Sequence, residues 1–366
     1  MPAEEVKALL DSGADVVVLD ARRFDEYQTM CIPGGTSVPG AELALRVRDL
    51  APNPATRVIV NCAGRTRSII GTQSLVNAGI PNPVSALRNG TIGWTLAGLK
   101  LDHGQQRRFG AVSPEALAAA RSAAQTLADR AGAVRLDTAT LAAWVADGAR
   151  TLYRWDVRTP EEYAAGHLPG FGSAPGGQLV QETDVCAAVR GARIALADGG
   201  PGSDGVRAAM TAHWLAQLGW EVGWLTDNTP DQHTSTGPWR PAHAPQPEVL
   251  RTDLPTVLGR LPAADRIVLT CPDGRLARLA AADLHRYTAK PLAVLDGGTP
   301  AWVAAGLPLE TGDAGRLSER IDRYRRPYEG TDAPREAMQA YLDWEFGLVA
   351  QLGRAGTHHF QVLPAA

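Results

Sequence analysis

The feature that most constrains this chain is internal repetition. The pattern D-x-R-x-x-x-E-Y occurs in "LDARRFDEY" (19–27) and again in "WDVRTPEEY" (155–163). Asp20, Arg22, Glu26 and Tyr27 recur as Asp156, Arg158, Glu162 and Tyr163 at a constant offset of 136, which also carries Pro33-Gly34 onto Pro169-Gly170. Six positions at one offset are poorly explained by chance, and repetition on this scale means repeated structural units. A second pair links "NGTIGWTLAGL" (89–99) to "GGTPAWVAAGL" (297–307). Three stretches, beginning "RSIIGTQSLV" (67), "VRAAMTAHWL" (206) and "ARLAAADLHR" (277), share a helical pattern.

The elements alternate. "VKALLDSG" reads as a short amphipathic helix with Gly13 near its C-cap, and "DVVVLDA" and "TRVIVNC" read as buried strands. Strand and helix in alternation favour a parallel sheet with helices on both faces. "SPEALAAARSAAQTLADRAG" (113–132) reads as a helix with Ser113 as N-cap and Pro114 at its first position. The expected fold class is α/β, as tandem units each with a small, mostly parallel sheet. The expected order is a first unit at 1–105, a helical linker at 106–132, a second unit at 133–228, an irregular linker at 229–249, a partial third unit at 250–312 and a helical tail at 313–366. Within the tail, 335–353 carries an apolar stripe suited to packing on a domain.

The chain has 366 residues, enough for about two or three domains. A net charge of −3 gives no electrostatic case for nucleic acid or an anionic membrane surface. No apolar run is long enough for a transmembrane helix, and the start has no basic-then-apolar signal segment. The four cysteines, Cys31, Cys62, Cys186 and Cys271, are widely spaced with no CxxC pair, which argues against a disulfide framework and a cysteine-rich metal site. A reducing cytoplasm is the expected compartment. No metal or cofactor is expected: there is no GxGxxG or P-loop, and His358-His359 reads as a surface pair in a tail.

The D-x-R…E-Y…I-P-G-G element, "CAGRTRS" (62–68) and G-x-x-x-W-x-x-x-G (90–98) together resemble the rhodanese family. The resemblance covers most of the chain as tandem copies, the third keeping only its second half. It implies small α/β units and sulfur transfer through a cysteine persulfide. Cys62 would be the nucleophile that attacks the sulfane sulfur of thiosulfate or a related donor, with cyanide or a thiol, of a small molecule or of a protein, as acceptor. The alternative is a persulfide carrier or redox-sensing module without steady turnover.

The residues around Cys62 suit this chemistry. A thiolate is needed, and a free thiol has a pKa of about 8.5. The short loop of Ala63, Gly64, Arg65, Thr66 and Arg67 can turn its amides inward as an anion nest. The helix that follows adds its positive end. Both are expected to lower the Cys62 pKa. Arg65 and Arg67 bring charge and planar donors for an oxyanion. Ser68 reads as the helix N-cap. Asp20 and Glu26 read as structural, with Arg22 as their ion-pair partner. A cysteine phosphatase would place arginine six positions after the cysteine. Here Ser68 stands there, and the arginines fall at the third and fifth positions.

In the second copy Asp198 stands where Cys62 would, so that copy is expected to be silent. In the third, Cys271 occupies the strand-to-loop position and is a candidate second site. Pro272 removes an amide donor and Asp273 adds a negative charge, with Arg275 and Arg278 in partial compensation. Cys186 reads as core and Cys31 as incidental, or as a resolving thiol if exposed. Trp94 and Trp302 read as packing residues.

Overall fold

The computed structural model describes residues 1–199, 205–239, 253–261, 263–272, 274–307, 317–318, 326–356 and 358–363. Asp273, residues 240–249 of the expected linker, and 313–316 and 319–325 of the expected tail lie outside the described residues. Residues 1–239 with 326–366 form one compact body, and 240–325 a second.

The first copy runs α1 (Ala3–Asp11), β1 (Val16–Asp20), α2 (Phe24–Thr29), β2 (Thr36–Ser37), α3 (Leu43–Leu50), β3 (Arg57–Asn61), α4 (Thr66–Asn77), β4 (Val84–Ala86) and α5 (Gly90–Leu96). Its strands lie in the order β2-β1-β3-β4, all parallel, with Asp20 opposite Asn61 at the C-terminal end of the central pair. The β-branched runs "VVVLD" and "RVIVN" are what a strand covered by crossover helices requires.

Helix α6 (Pro114–Arg130) follows, with the Ser113 hydroxyl accepting from the Ala116 amide as an N-cap should. The second copy runs β5 (Val134–Leu136), α7 (Thr138–Ala146), β6 (Leu152–Asp156), α8 (Pro160–Ala165), β7 (Gly172–Ser173), α9 (Gly176–Gln181), α10 (Thr183–Cys186), β8 (Arg193–Ala197), α11 (Val206–Gln217) and β9 (Glu221–Leu225). Its order is β5-β9-β8-β6-β7, again parallel. Asp156 faces Ala197 as Asp20 faces Asn61, so the 136-residue offset is also an offset of register.

The two copies share a core. One apolar cluster takes Ala44 and Leu45 from α3, Ala124 and Leu127 from α6, and Leu196, Ala208 and Leu215 from the second copy. Where the copies touch, a Cβ added to Gly177 would come within 3.0 Å of the Gly40 Cα, and one added to Gly40 within 3.2 Å of the Gly177 Cα. Backbone approaches backbone there because neither residue has a side chain. The Trp214 indole nitrogen donates to the Ser74 hydroxyl across the same junction, at 2.8 Å.

The second body contains α12 (Leu254–Val257), β10 (Ile267–Leu269), α13 (Arg275–Leu284), β11 (Leu292–Val294) and α14 (Gly298–Ala304). Its described strands form one parallel pair. Trp302, expected to pack, is 38% exposed. Trp94, its counterpart in the first copy, is buried and donates to the Lys100 carbonyl at 2.9 Å.

After the second body, α15 (Arg335–Ala355) returns to the first. Arg335 donates to the carbonyls of Thr95 and Leu96 at the end of α5, at 3.3 and 2.8 Å. Met338 and Leu342 join Met30, Ala63, Ile92 and Tyr328 in an apolar cluster. This helix therefore packs on the loop that carries Cys62. Among the described residues no helix is long and apolar enough to cross a membrane.

Candidate active site

Cys62 follows the last residue of β3, at the C-terminal edge of the sheet, and α4 begins four residues later. The loop is held from outside by α5. Thr91 N–H donates to the Cys62 carbonyl at 2.9 Å and Ile92 N–H to the Ala63 carbonyl at 3.0 Å. In a trans peptide the N–H points opposite to the C=O. The amides of Ala63 and Gly64 are thereby turned away from α5, as an inward nest requires. Gly90 makes the close approach possible: with φ at +54°, a Cβ there would lie 2.1 Å from the Cys62 carbonyl oxygen.

The Cys62 thiol donates to the Ser68 hydroxyl at 3.3 Å, and that hydroxyl donates to the Arg65 carbonyl at 3.0 Å. Ser68 is thus not the N-cap. The helix starts at Thr66 and Arg65 precedes it, so the Ser68 hydroxyl is free to meet the sulfur. Cys62 itself is 2% exposed. Burial pushes its thiol up, against the pull of the Arg67 charge and of the Ser68 hydroxyl and amide. This reverses the expected lowering. The cradle is present, but it is covered, and desolvation of the thiolate outweighs it.

Arg67 is buried, and its fork is engaged. Nη1 and Nη2 donate to the two oxygens of Glu26 at 2.6 and 2.8 Å. Burial opposes ionisation of Glu26, yet the Arg67 fork with the charges of Arg22 and Arg23 holds it down at about 2. Arg22 instead clasps Asp20 at 2.9 and 2.7 Å and reaches the Met30 carbonyl, while Asn61 donates to Asp20 at 2.8 Å. Glu26 and Asp20 are therefore paired to different arginines, not to Arg22 together. Arg65 is half-buried, with its guanidinium 3.9 Å from the ring centroid of Phe346 on α15. Thr66 is exposed and Ala63 buried.

The second copy shows the same frame with a different occupant. Asp156 and Arg158 repeat the Asp20 and Arg22 pair, and Arg207 engages Glu162 at 2.7 and 3.1 Å as Arg67 engages Glu26. In the place of the cysteine, the Asp198 carboxylate accepts the amides of Arg207 and Ala208 at 2.7 and 3.3 Å and the Arg207 Nε at 2.9 Å. Arg207 also meets Glu42 of the first copy at 2.5 Å.

In the second body Cys271 is buried and accepts the Ala277 amide at 3.3 Å. Thr299 N–H donates to its carbonyl at 3.2 Å, and Gly298, like Gly90, sits where a Cβ would strike that oxygen. Beside it is an apolar cavity of about 300 Å³ whose walls include Leu254, Val257, Leu269 and Leu284. Arg278 pairs with Asp296 at 3.1 Å. Cys31 is fully buried, hence not an exposed resolving thiol, and Cys186 is half-buried against the shared core. His358 and His359 are exposed, and no His/Cys/Asp/Glu group suited to a metal occurs among the described residues.

The sequence reading missed the contribution of α15. Tyr341, Glu345 and Phe346 lie against residues 64 and 65. The one available signal was a carboxylate, Glu345, continuing the apolar stripe of Met338 and Leu342 at helical spacing.

Parallel sheets flanked by helices, with a cysteine in a short loop between strand and helix and the same frame repeated around Asp198, define a rhodanese-like fold. Residues 2–97 match the family described as "Rhodanese-like domain", and the chain belongs to that family. Along its whole length it is similar to the crystal structure of thiosulfate sulfurtransferase from Pseudomonas aeruginosa, with 57% identity, a TM-score of 0.82 and 76% of that chain covered. Over 92 residues it is 31% identical to a helix-turn-helix-type transcriptional regulator of Mycobacterium tuberculosis, a match spanning 25% of this chain and 40% of that protein.

Proposed function

We propose that the protein is a thiosulfate sulfurtransferase acting through Cys62. The Cys62 thiolate attacks the outer sulfur of thiosulfate. A new S–S bond forms, the donor's S–S bond breaks, and sulfite leaves with the electron pair. Cyanide or a thiolate then takes the outer sulfur and the Cys62 thiolate is regenerated, as in other covalent double displacements. The observation that carries this reading is the placement of Cys62 in the loop that opens α4, where the Arg67 charge and the Ser68 hydroxyl act on its sulfur. Arg67 supplies field and Arg65 the nearby cation, with the amides of 63–67 receiving charge on sulfur. We read Asp20, Arg22 and Glu26 as the frame of this site, 1–105 as the catalytic domain, the second copy as silent scaffold, and Cys271 as a secondary candidate.

Small sulfur donors and thiophilic acceptors, in a reducing cytoplasm, are the partners this chemistry asks for. The covered state of Cys62 favours one further reading, a persulfide carrier that accepts sulfur and does not turn over. Thiosulfate-to-cyanide transfer by the wild type, Cys62→Ser and Cys271→Ser, with intact-mass detection of one added sulfur, separates them. Loss of both turnover and adduct in Cys62→Ser alone supports the enzyme. Adduct without turnover supports the carrier. Full activity in Cys62→Ser removes Cys62 from the mechanism.

A further inference from the structure

Helix α15 brings a carboxyl group to the Cys62 loop. Glu345 is 8% exposed. Its Oε1 accepts the Tyr341 hydroxyl at 3.1 Å. Its Oε2 is buried with no hydrogen-bond partner among the described residues. That oxygen would lie 3.0 Å from a Cβ on Gly64, two residues after Cys62. Glu345 also lines a cavity of about 200 Å³ with Arg65, Thr66, Ile69, Ile70 and Leu348. A buried polar atom left unpaired costs about 1–3 kcal/mol, so an oxygen held there calls for a partner supplied from outside.

The cavity states what that partner is. It has a guanidinium, a hydroxyl and the positive end of α4, all suited to an oxyanion. An ionised carboxylate would repel such a ligand, whereas a protonated one would donate to it. We propose that Glu345 is a donor-binding residue, giving a hydrogen bond from Oε2 to a sulfonate oxygen of thiosulfate held against Arg65 and Thr66. This rests on the sulfurtransferase reading and adds a residue to it from outside the rhodanese-like segment. Burial supports it by favouring the neutral carboxyl, against the Tyr341 hydroxyl and the Arg65 charge.

The groups facing Glu345 are Tyr341 on its own helix, Arg65 on the loop, and Tyr328, which packs edge-on against Tyr341. Burial raises both tyrosines, so neither ionises near neutrality. Glu26, behind Arg67, is ionised throughout. Cys62 gives the rising limb of activity with pH, and Glu345 the falling limb.

The test is kcat/KM for thiosulfate across pH in the full chain, for wild type, Glu345→Gln and Glu345→Ala. Glu345→Gln keeps a neutral donor of the same shape. It should stay within about threefold of wild type at low pH and lose the falling limb. Glu345→Ala should lose about tenfold, through KM, as expected for one hydrogen bond. A Gln variant that keeps the falling limb, or an Ala variant equal to wild type, overturns the assignment while leaving Cys62 chemistry intact. A wild type that takes no sulfur from thiosulfate overturns the sulfurtransferase reading, and this one with it.

Discussion

Glu26 and Arg67 meet fork to fork at 2.6 and 2.8 Å, joining α2 to the first turn of α4. The pair is largely buried, so its members depend on one another more than a surface pair would. Glu26→Gln leaves the Arg67 charge buried without its counterion, and the expected loss is about 3–5 kcal/mol of stability by urea unfolding. The same change removes a negative charge that offsets Arg67. The Cys62 thiol should then titrate at lower pH, read from the pH dependence of its alkylation.

Glu26 and His213 both contribute to acid stability, as does Glu162, which, against burial, Arg207 lowers to about 2. Glu26 is held at about 2 in the folded protein against 4.5 ordinarily. Its contribution is complete above pH 4.5 and disappears as pH falls toward 2, and by linkage it amounts to about 3 kcal/mol. His213, buried with Nδ1 on the Met210 carbonyl, is lowered by desolvation to about 4. It must be neutral to stay inside, so its contribution starts to fall below pH 6.5. Urea midpoints should therefore fall in two stages, and His213→Gln should remove the earlier one.

Leu342 is buried where α15 meets the Cys62 loop. Leu342→Ala should loosen this packing by about 2–5 kcal/mol. Because burial is what raises the Cys62 thiol, its exposure should increase the rate of iodoacetamide alkylation and move the profile to lower pH. An unchanged rate would mean that α15 does not govern access.

Arg207 holds Asp198, Glu162 and Glu42 at once. Arg207→Met takes the shared cation from these carboxylates, two of them deeply buried, and leaves Glu42 with Arg46 and Glu162 with Thr159. The expected result is a loss of at least about 3–5 kcal/mol, seen as a lower urea midpoint. Since Glu42 belongs to the first copy, persulfide formation at Cys62 should decline with it despite the distance from the thiol.

Much of this was legible in the chain. The 136-residue offset located two frames and, through Asp20 and Asn61 against Asp156 and Ala197, even their register. Cys62 stood out because a strand, a short basic loop and a helix follow one another in sequence, and such local order survives folding. What was not legible came from distance. The partner of Arg67 lies 41 residues away, and charge pairing cannot be chosen from composition when Arg22 and Arg67 are both available. Glu345 lies farther still, on a helix whose stripe foretold packing but not its surface of contact. The upward push on the Cys62 thiol escapes the sequence for the same reason, since the loop's amides are local and its cover is not.

Asp198 gives the second copy a further meaning. A carboxylate oxygen is two bonds from Cβ, as is the outer sulfur of a cysteine persulfide. Asp198 Oδ2 accepts the amides of Arg207 and Ala208, whose counterparts in the first copy are Arg67 and Ser68. The second copy can thus be taken as a built-in likeness of a sulfur-loaded cysteine, with oxygen in place of sulfur. On the sulfurtransferase proposal, the outer sulfur on Cys62 would meet the amides of Arg67 and Ser68, a placement that a crystal structure of the persulfide form would verify or refute.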